Sequence, residues 1–460
     1  MRAVAWLKTV WFDTFLRRLA RNSSWGIASM SIEFGVALAE AALAARILGP
    51  ADYGRVALVV ASIVSIKQLV DVRAWEGVTR YLSEFLEQRE PGLALATLKL
   101  AVLADAGVAV VAFGLAVLGA DLISGRMLGQ PELYGPIVWY ALTLFATMLN
   151  GTGEAVLRVF DRFRDLAVRS AAQAMWHLGL VATVLLLGWR VPGLVLAYLL
   201  SDVAGAALLA VLAGRQVRQR LWGARAEAGL TRLRPHFKDM LWFTGQTALR
   251  ATLKLNRQLD ILVLGYFRPP SEVGYYRVAR RLGASVQQLT DPMYFAIFPD
   301  FARAWAGTRR RFAALVARTA GVAAVGAIPG VLLGVGFAPQ VIRAWVGVEY
   351  APAVGPFRVI MVGMGLAVAT FWGTPAALGS GRPGIATSAV ACGVLVNVAL
   401  LGLVPRHGPT GAAVALLGGY VAYSVAICVL LARTVLRGGT SWTTSATSTT
   451  TARRENGPLP

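Results

Sequence analysis

Three basic side chains lie within one strongly apolar stretch near the middle of the chain. Arg250, Lys254 and Arg257 fall between Leu241 and Phe267, and on a helix their positions point within about 60° of one another. Counted along a helix from the last lysine before the stretch, Arg250 would lie about 18 Å deep, near the middle of a bilayer. An ionisable group there costs at least ~2.5 kcal/mol, so these side chains must face a cavity or a partner.

Too few acidic residues lie nearby to neutralise this set. Asp260 can pair with Arg257, three residues away, but not with all three cations. On the next predicted helix, Arg277 and Arg281 begin a polar stripe with the 3.6-residue period. We therefore expect a water-filled cationic cavity, built mainly from the second half of the chain, whose binding residues are Arg250, Lys254, Arg257, Arg277 and Arg281.

The first half of the chain supplies carboxylates. Glu33 and Glu40 are seven residues apart and share one helical face, while Asp71 lies four residues after Lys67 and can pair with it. These acids, together with Asp260, either hold helices together or line the cavity, where they would couple H⁺ or Na⁺ movement to transport. The sequence leaves both roles open.

The predicted cavity favours an anionic ligand and no enzyme chemistry. Arg presents a rigid fork that matches phosphate oxygens, and several basic groups together suit a diphosphate. The histidines, at 177, 236 and 407, have no metal-ligand spacing, and the chain has no GxxxxGK[ST] phosphate loop. We therefore expect no catalytic residue, no metal and no cofactor.

The composition places this cavity in a membrane protein. Of the 460 residues, 56% are hydrophobic and 15% are charged, and the mean hydropathy is +0.59, whereas soluble domains carry about 25% charged residues. Windows of about 20 residues give twelve candidate transmembrane helices. A cytosolic enzyme, a secreted disulfide scaffold and a disordered protein are thereby excluded.

The net charge of +21 follows the topology and does not indicate nucleic-acid binding. With the N-terminus inside, the cytoplasmic segments hold roughly 27 basic residues, whereas the opposite loops hold about 6. Cytoplasmic segments retain Arg and Lys because such segments resist translocation. Both termini are therefore expected in the cytoplasm, with membrane lipids and no nucleic acid as partners.

Five segments are expected along the chain. Residues 1–22 form a cytoplasmic segment, either an amphipathic helix on the inner membrane surface or a frayed tail, and residues 23–213 form an N-terminal six-helix bundle. A basic cytoplasmic linker at 214–237 leads to a C-terminal six-helix bundle at 238–435. The Ser- and Thr-rich tail at 436–460 is expected to be disordered.

Two helix junctions carry similar motifs. The first predicted helix ends and the second begins within RILGPADYGRVA (46–57), and the seventh and eighth helices meet within DILVLGYF (260–267) and VGYYRVA (273–279). The parts that agree are ILG and YGRVA in the first junction, and VLG and YYRVA in the second. The matching positions indicate internal duplication, and a six-helix repeat relates two halves by an axis along the membrane normal. The predicted fold is an all-α polytopic membrane protein of about 12 transmembrane helices, in two pseudo-symmetric six-helix bundles around a central cavity.

These motifs, with GPTGAA at 408–413 before the last helix, resemble the polysaccharide-exporting flippases of the multidrug/oligosaccharidyl-lipid/polysaccharide exporter superfamily. The resemblance extends over essentially the whole chain. It implies a multi-pass protein of the bacterial inner (plasma) membrane that flips an undecaprenyl-diphosphate-linked oligosaccharide by alternating access, for polysaccharide or lipopolysaccharide biosynthesis. It also implies a polysaccharide polymerase and a chain-length regulator as partners. We expect a monomer, because the two halves can form the cavity alone.

Two other functions are weighed against this one. An ion-coupled exporter of small molecules or drugs on the same fold would favour one or two acids and an aromatic lining, and the arginine excess argues against it. A membrane-embedded polymerase or glycosyltransferase would need a large external loop with catalytic groups, whereas every predicted outer loop is short.

Overall fold

The structure, a computed structural model, describes residues 2–70, 74–252, 258–288 and 291–437, and side chains from residue 29 onward apart from positions in and beside the gaps. All regular elements of this part of the chain are helices. In the first half the α-helices are α1 (Arg2–Val70), α2 (Ala74–Glu87), α3 (Pro91–Asp121), α4 (Tyr134–Ala141), α5 (Thr143–Met148), α6 (Asn150–Val159), α7 (Phe163–Leu186) and α8 (Val191–Leu221).

The predicted linker, 214–237, begins with the last residues of α8. Two 3₁₀ helices, Trp222–Glu227 and Leu230–His236, occupy most of its remainder. The second half contains α9 (Phe237–Thr252), α10 (Leu259–Phe267), α11 (Pro270–Gln288), α12 (Asp291–Gly307), α13 (Arg309–Gly336), α14 (Ala338–Val346), α15 (Val354–Ala369), α16 (Gly373–Gly379), α17 (Pro383–Leu400) and α18 (Val404–Arg437).

Seven stretches of the described chain are long and apolar enough to cross a membrane. Two of them, Ser29–Val70 and Pro383–Thr434, have 42 and 52 residues, about twice the ~20 residues that one crossing needs. The protein is therefore an all-α, multi-pass membrane protein. The count of twelve crossings, the pseudo-symmetry and the side of the termini stay predictions.

A glycine and a proline break α1 where the first predicted span ends. Gly49 has φ 74° and ψ 174°, a conformation that glycine adopts at little cost because it has no Cβ. The ring nitrogen of Pro50 has no hydrogen to donate to a carbonyl of the preceding turn. Upstream of this break the helix runs from Arg2 without interruption, so residues 2–22 of the predicted cytoplasmic segment continue directly into the first span.

The two junctions with similar motifs contact each other. A Cβ on Gly54 would collide with the carbonyl oxygen of Pro270, and a Cβ on Gly274 would collide with the carbonyl oxygen of Pro50. The contacts are reciprocal, and the absence of a side chain at both glycines permits this close backbone approach. The two halves of the chain therefore meet tightly here, at what we call the junction end of the protein.

Hydrogen bonds add to the contact between halves at the junction end. The hydroxyl of Tyr350, which is fully buried, donates to the carbonyl oxygen of Ala45 at 3.0 Å. The guanidinium of Arg46 donates from Nε to the carbonyl oxygen of Trp345, also at 3.0 Å. Since a side chain from each half bonds backbone of the other, the halves are held closed at this end.

α1 is the element that joins the halves. It packs against α7 and α8 within the first half and against α10 and α11 of the second. Many of its buried positions are alanines, including Ala41, Ala44 and Ala45, and small side chains let membrane helices approach closely. At the opposite end of the protein the halves meet again, where the Phe243 ring of α9 lies 6.1 Å from the Tyr81 ring of α2.

Candidate functional site

A polar cavity of about 280 Å³ lies between α1, α7, α8 and α11. Glu40 precedes Gly49 by nine residues and Arg281 follows Pro270 by eleven, so they lie about 14 and 17 Å from the junction end. Both are thus near the middle of a hydrocarbon core of ~30 Å. The ionisable residues of the lining are Glu33, Glu40, Arg169, His177 and Arg281.

Helical periodicity brings these side chains to one place. Glu33 and Glu40 are seven residues apart on α1, as the sequence analysis assumed, and both line the cavity. Arg169, Gln173 and His177 follow one another at intervals of four on α7, which also puts them on one face. The two polar helix faces are packed against each other and enclose the site.

Glu40 is buried and bonded within the first half. Its side chain accepts a hydrogen bond from the hydroxyl of Tyr198 on α8, and the two residues are each only 6% exposed. The Tyr198 ring in turn stacks on the imidazole of His177, with 4.9 Å between ring centres. A buried carboxylate needs such a donor, because burying it without one is costly. Glu33, by contrast, is exposed.

Arg169 is a cavity residue that sequence reasoning missed. It lies inside α7, with its side chain only 8% exposed. Its Nε donates to the carbonyl oxygen of Gly205 at 3.3 Å, and its Nη1 lies 3.8 Å from a carboxylate oxygen of Glu154. The four-residue spacing to Gln173 and His177 was the signal that could have identified it.

The two predicted arginines of α11 occupy different surroundings. Arg281 lines the cavity from the side of the second half. Arg277, one turn nearer the junction end, has its guanidinium 4.7 Å from the centre of the Tyr53 ring, a cation–π contact. Its Nη1 is buried and has no hydrogen-bond partner among the described residues. A buried donor left unpaired costs free energy that an incoming acceptor would recover.

Asp260 is engaged by α11. Its carboxylate accepts hydrogen bonds from Nη1 of Arg280 at 2.9 Å and from the hydroxyl of Tyr276 at 2.6 Å, and the residue is 2% exposed. Its three-residue spacing predicted a pair with Arg257, which lies outside the described residues. Asp260 is therefore part of the packing between α10 and α11, and it does not line the cavity of about 280 Å³.

The remaining predicted site residues are only partly described. Lys254, Arg257 and Asp71 lie outside the described residues, and Arg250 has a helical backbone in α9 but no described side chain. Their common face assumes one helix from Leu241 to Phe267, and that helix is interrupted at Gln258, where φ is −127° and ψ is −5°. The backbone there departs from helical geometry immediately before α10.

The charge of the described cavity differs from the expectation. Its lining comes mainly from the first half and contains two carboxylates, Glu33 and Glu40, against two guanidiniums, Arg169 and Arg281. Arg277 adds one further positive charge a turn away. Such a site offers planar forks for phosphate oxygens and carboxylates that a proton or a small cation can occupy.

A second polar cavity, of about 420 Å³, lies within the first half. Asp105, Glu154 and Lys67 line it, and Asp105 accepts a hydrogen bond from the hydroxyl of Thr152 at 2.6 Å. Within the described residues no group of three or more His, Cys, Asp or Glu side chains is placed to hold a metal ion.

Solved membrane transporters share this fold. The lipid II flippase MurJ, in an inward closed conformation, matches with a TM-score of 0.72 and 11% identity, over 89% of this chain and 87% of that one. An inward-facing multidrug resistance transporter of the MATE family in the MOP superfamily matches with a TM-score of 0.69 and 15% identity, over 88% and 94%. At these identities the likeness concerns the fold.

A third match is a MOP superfamily transporter from Pyrococcus furiosus, in which the reverse polarity of the binding pocket suggests a different function. It has a TM-score of 0.54 and 16% identity, over 91% of this chain and 94% of that one.

No curated protein matches the sequence. The family model described as polysaccharide biosynthesis protein matches residues 19–305, well over half of the chain. The resemblance stated from the sequence motifs is confirmed, and the chain belongs to the polysaccharide biosynthesis protein family.

Proposed function

We propose that the protein flips an undecaprenyl-diphosphate-linked oligosaccharide from the inner to the outer leaflet of a bacterial inner membrane by alternating access. Membership of the polysaccharide biosynthesis family supports a role in polysaccharide export. The fold shared with a lipid II flippase is compatible with a lipid-linked substrate. The arginines around the cavity support a diphosphate as the group that is bound.

The observation that carries the proposal is the pair Arg277 and Arg281 on one face of α11. The two residues are one turn apart; Arg281 lines the cavity, and Arg277 has a buried Nη1 without a hydrogen-bond partner among the described residues. An unpaired buried donor costs about 1–3 kcal/mol. A diphosphate oxygen that accepts from it removes this cost and gains a charge-assisted hydrogen bond.

The size of the cavity requires that the protein opens during transport. A volume of about 280 Å³ is at the lower end of the ~300–1,000 Å³ typical of ligand pockets, so it accommodates a diphosphate but not an oligosaccharide. The halves must separate at one end to admit the sugars and at the other to release them. The reciprocal contacts at Gly54 and Gly274 are the ones that break when the junction end opens.

We assign ion coupling to Glu33 and Glu40. Both share the cavity with Arg169 and Arg281, so a proton or Na⁺ bound at either carboxylate makes the cavity more positive. A more positive cavity attracts a diphosphate more strongly. Binding of the ion and of the substrate would then favour each other, so that each raises the affinity of the cavity for the other.

The proposal includes the topology and the partners. Twelve transmembrane helices form two six-helix halves, at 23–213 and 238–435, with both termini and the linker 214–237 in the cytoplasm. The two halves form the cavity of one monomer. A polysaccharide polymerase and a chain-length regulator act on the flipped product at the outer face.

Deletion of the gene in its host tests the proposed function. The undecaprenyl-linked sugars of each leaflet of the inner membrane are then analysed. We expect complete lipid-linked oligosaccharide to accumulate on the cytoplasmic leaflet, because its assembly does not need the flippase. Unchanged lipid intermediates on both leaflets would contradict the proposal.

A second candidate function is ion-coupled export of a small cationic molecule. The buried Glu40, bonded to Tyr198 and close to His177, favours it, since a carboxylate in an aromatic setting suits an organic cation. The same deletion strain distinguishes the two functions. Sensitivity to a cationic compound with unchanged lipid intermediates would favour the exporter.

A further inference from the structure

A long apolar groove in the second half takes no part in the proposed transport. It lies between α12, α13 and α15 and has a volume of about 780 Å³. α13 lines it along one face, from Leu315 to Val331, and Met361 of α15 forms part of the opposite wall. Among its described lining residues the charged ones are Asp300 and Arg318, and both lie at the same end.

A basic pocket of about 410 Å³ continues the groove at that end. The two share Asp300, Leu315 and Arg318, and the pocket adds Arg303 and Arg311. Nη2 of Arg303 donates to the Asp300 carboxylate at 2.6 Å, so this acid neutralises one of the three arginines. The pocket keeps an excess of positive charge at Arg311 and Arg318, which are both exposed.

The charge pattern of α13 fixes where this pocket lies in the bilayer. α13 has 28 residues, about 42 Å of helix, which exceeds a hydrocarbon core of ~30 Å. Its stretch after Arg318, residues 319–336, carries no charge and is about 27 Å long. Arg318 therefore lies at the edge of the hydrocarbon core, on the side that the distribution of basic residues assigns to the cytoplasm.

We propose that the groove and the pocket together bind one anionic phospholipid of the cytoplasmic leaflet. The phosphate lies on Arg311 and Arg318, and one acyl chain follows α13 past Gly326 and Gly330. Basic pockets between transmembrane helices on the cytoplasmic side bind anionic headgroups. From Arg318 to Val331 the groove is about 20 Å long, which exceeds the ~15 Å of one leaflet, so a whole acyl chain fits.

Space for that chain exists at the two glycines. A Cβ on Gly326 or on Gly330 would meet no atom within 4 Å, although both residues line the groove. A larger side chain at either position would thus fill the groove without disturbing the packing of the helix. The bound lipid would add to the contacts of α13 with α12 and α15, since most positions of residues 319–336 are exposed. This inference does not depend on what the central cavity transports.

Lipid binding by the full-length protein in detergent micelles tests the proposal. Native mass spectrometry gives the dissociation constants for dioleoyl-phosphatidylglycerol and dioleoyl-phosphatidylcholine. We expect Arg311→Ala/Arg318→Ala to bind phosphatidylglycerol about 30-fold more weakly, since each arginine near the surface contributes about 1 kcal/mol. The matched control is Arg310→Ala/Arg433→Ala, which removes the same charge from exposed positions outside the pocket.

The acyl chain is tested separately from the headgroup. Gly326→Leu or Gly330→Leu should reduce phosphatidylglycerol binding, whereas Gly321→Leu, on the same helix with open space but outside the groove lining, should not. Thermal unfolding in detergent shows whether each variant is folded. Unchanged phosphatidylglycerol affinity in the arginine or the glycine variants would overturn the proposal. Equal affinity for soluble glycerophosphate, or tighter arginine-dependent binding of a polyprenyl phosphate, would overturn the assignment to a phospholipid.

Discussion

The guanidinium of Arg277 lies 4.7 Å from the centre of the Tyr53 ring and so joins the second half of the protein to the first. Tyr53 is 1% exposed and lies in the first junction motif, four residues after Gly49. The contact stands about one helical turn from the cavity residue Arg281. A bound chemical group that moves Arg277 away from this ring therefore changes both the cavity and the contact between the halves.

The charge of Arg277 should be needed for transport. Arg277→Met keeps an apolar stem of similar length but removes the guanidinium, and we expect the initial rate at limiting substrate to fall about 10- to 100-fold, because hydrogen bonds to charged groups contribute ~1.5–3 kcal/mol. Arg277→Lys should give an intermediate rate, since it keeps the charge but loses the fork. The rate is measured as translocation of a fluorescent lipid-linked oligosaccharide in proteoliposomes.

The matched control for this variant is Arg343→Met, which removes one exposed arginine of α14. It should transport at the wild-type rate. Equal rates for Arg277→Met, Arg343→Met and the wild type would contradict a role of Arg277 in substrate binding.

Sequence periodicity identified part of the site because it reports which residues share a helix face. Glu33 and Glu40 line one cavity for that reason, and Arg281 joins them. Arg169 was missed because an arginine near the end of an apolar stretch fits the rule for cytoplasmic loops, whereas α7 begins six residues before it. The common face of Arg250, Lys254 and Arg257 requires one helix from Leu241 to Phe267, and the non-helical Gln258 interrupts that helix.

The sequence alone could not predict which side chains form hydrogen bonds between helices that are distant along the chain. Tyr198 donates to Glu40 from 158 residues away, and Arg280 reaches Asp260 from 20 residues away. Such partners depend on which helices pack together, which no spacing in a single chain reports. The motifs at the two helix junctions predicted similar local structure, but not that Gly54 and Gly274 would each contact the other junction.

The basic set Arg250, Lys254 and Arg257 gives a prediction that rests on the sequence alone. Their triple alanine variant should insert normally into the membrane and yet impair surface polysaccharide, since an anion loses three cationic partners. Surface polysaccharide is measured by immunoblot in the deletion strain, with the amount of protein in the membrane fraction as reference.

The control removes three exposed arginines from the end of α8 and the linker, Arg215, Arg218 and Arg234. Together the two triple variants separate loss of net charge from loss of the intramembrane set. Normal polysaccharide in the Arg250, Lys254 and Arg257 variant would remove these residues from the proposed binding site.

Gly54→Ala should loosen the junction end. Replacement of a helical glycine by alanine normally increases stability. Here the new Cβ would collide with the Pro270 carbonyl oxygen, a backbone atom that cannot move without a shift of the chain. We expect the halves to separate more often at this end. In a background without Cys392 and Cys428, a reporter cysteine is introduced as Ala45→Cys, at a position that is fully buried. A membrane-impermeant maleimide should label this cysteine faster when Gly54→Ala is present than when Gly54 is unchanged.

Gly274→Ala should have the same effect, because its Cβ would strike the Pro50 carbonyl oxygen. Gly35→Ala is the control, since a Cβ there meets no atom within 4 Å. A labelling rate in Gly54→Ala equal to that in Gly35→Ala would mean that the junction contact does not limit opening.

The hydrogen bond from Tyr198 to Glu40 should stabilise the first half. Tyr198→Phe removes the donor and leaves a buried carboxylate without it, so the free energy of unfolding should fall by about 1–3 kcal/mol. Adding Glu40→Gln should recover part of this loss, because the amide is neutral and its burial costs less than that of a charge. The free energy of unfolding is measured in mixed micelles for Tyr198→Phe, Glu40→Gln and the double variant. The double-mutant cycle then isolates the interaction energy of the pair.

Tyr134→Phe serves as the control for this cycle. Tyr134 is 46% exposed, and removal of an exposed hydroxyl changes stability by no more than about 0.5 kcal/mol. If Tyr198→Phe is no less stable than Tyr134→Phe, Glu40 does not need its donor and must be satisfied by the cavity itself. Glu40 would then be held by the same groups that bind the substrate, and Glu40→Gln would change the affinity for the lipid-linked oligosaccharide without changing the stability of the fold.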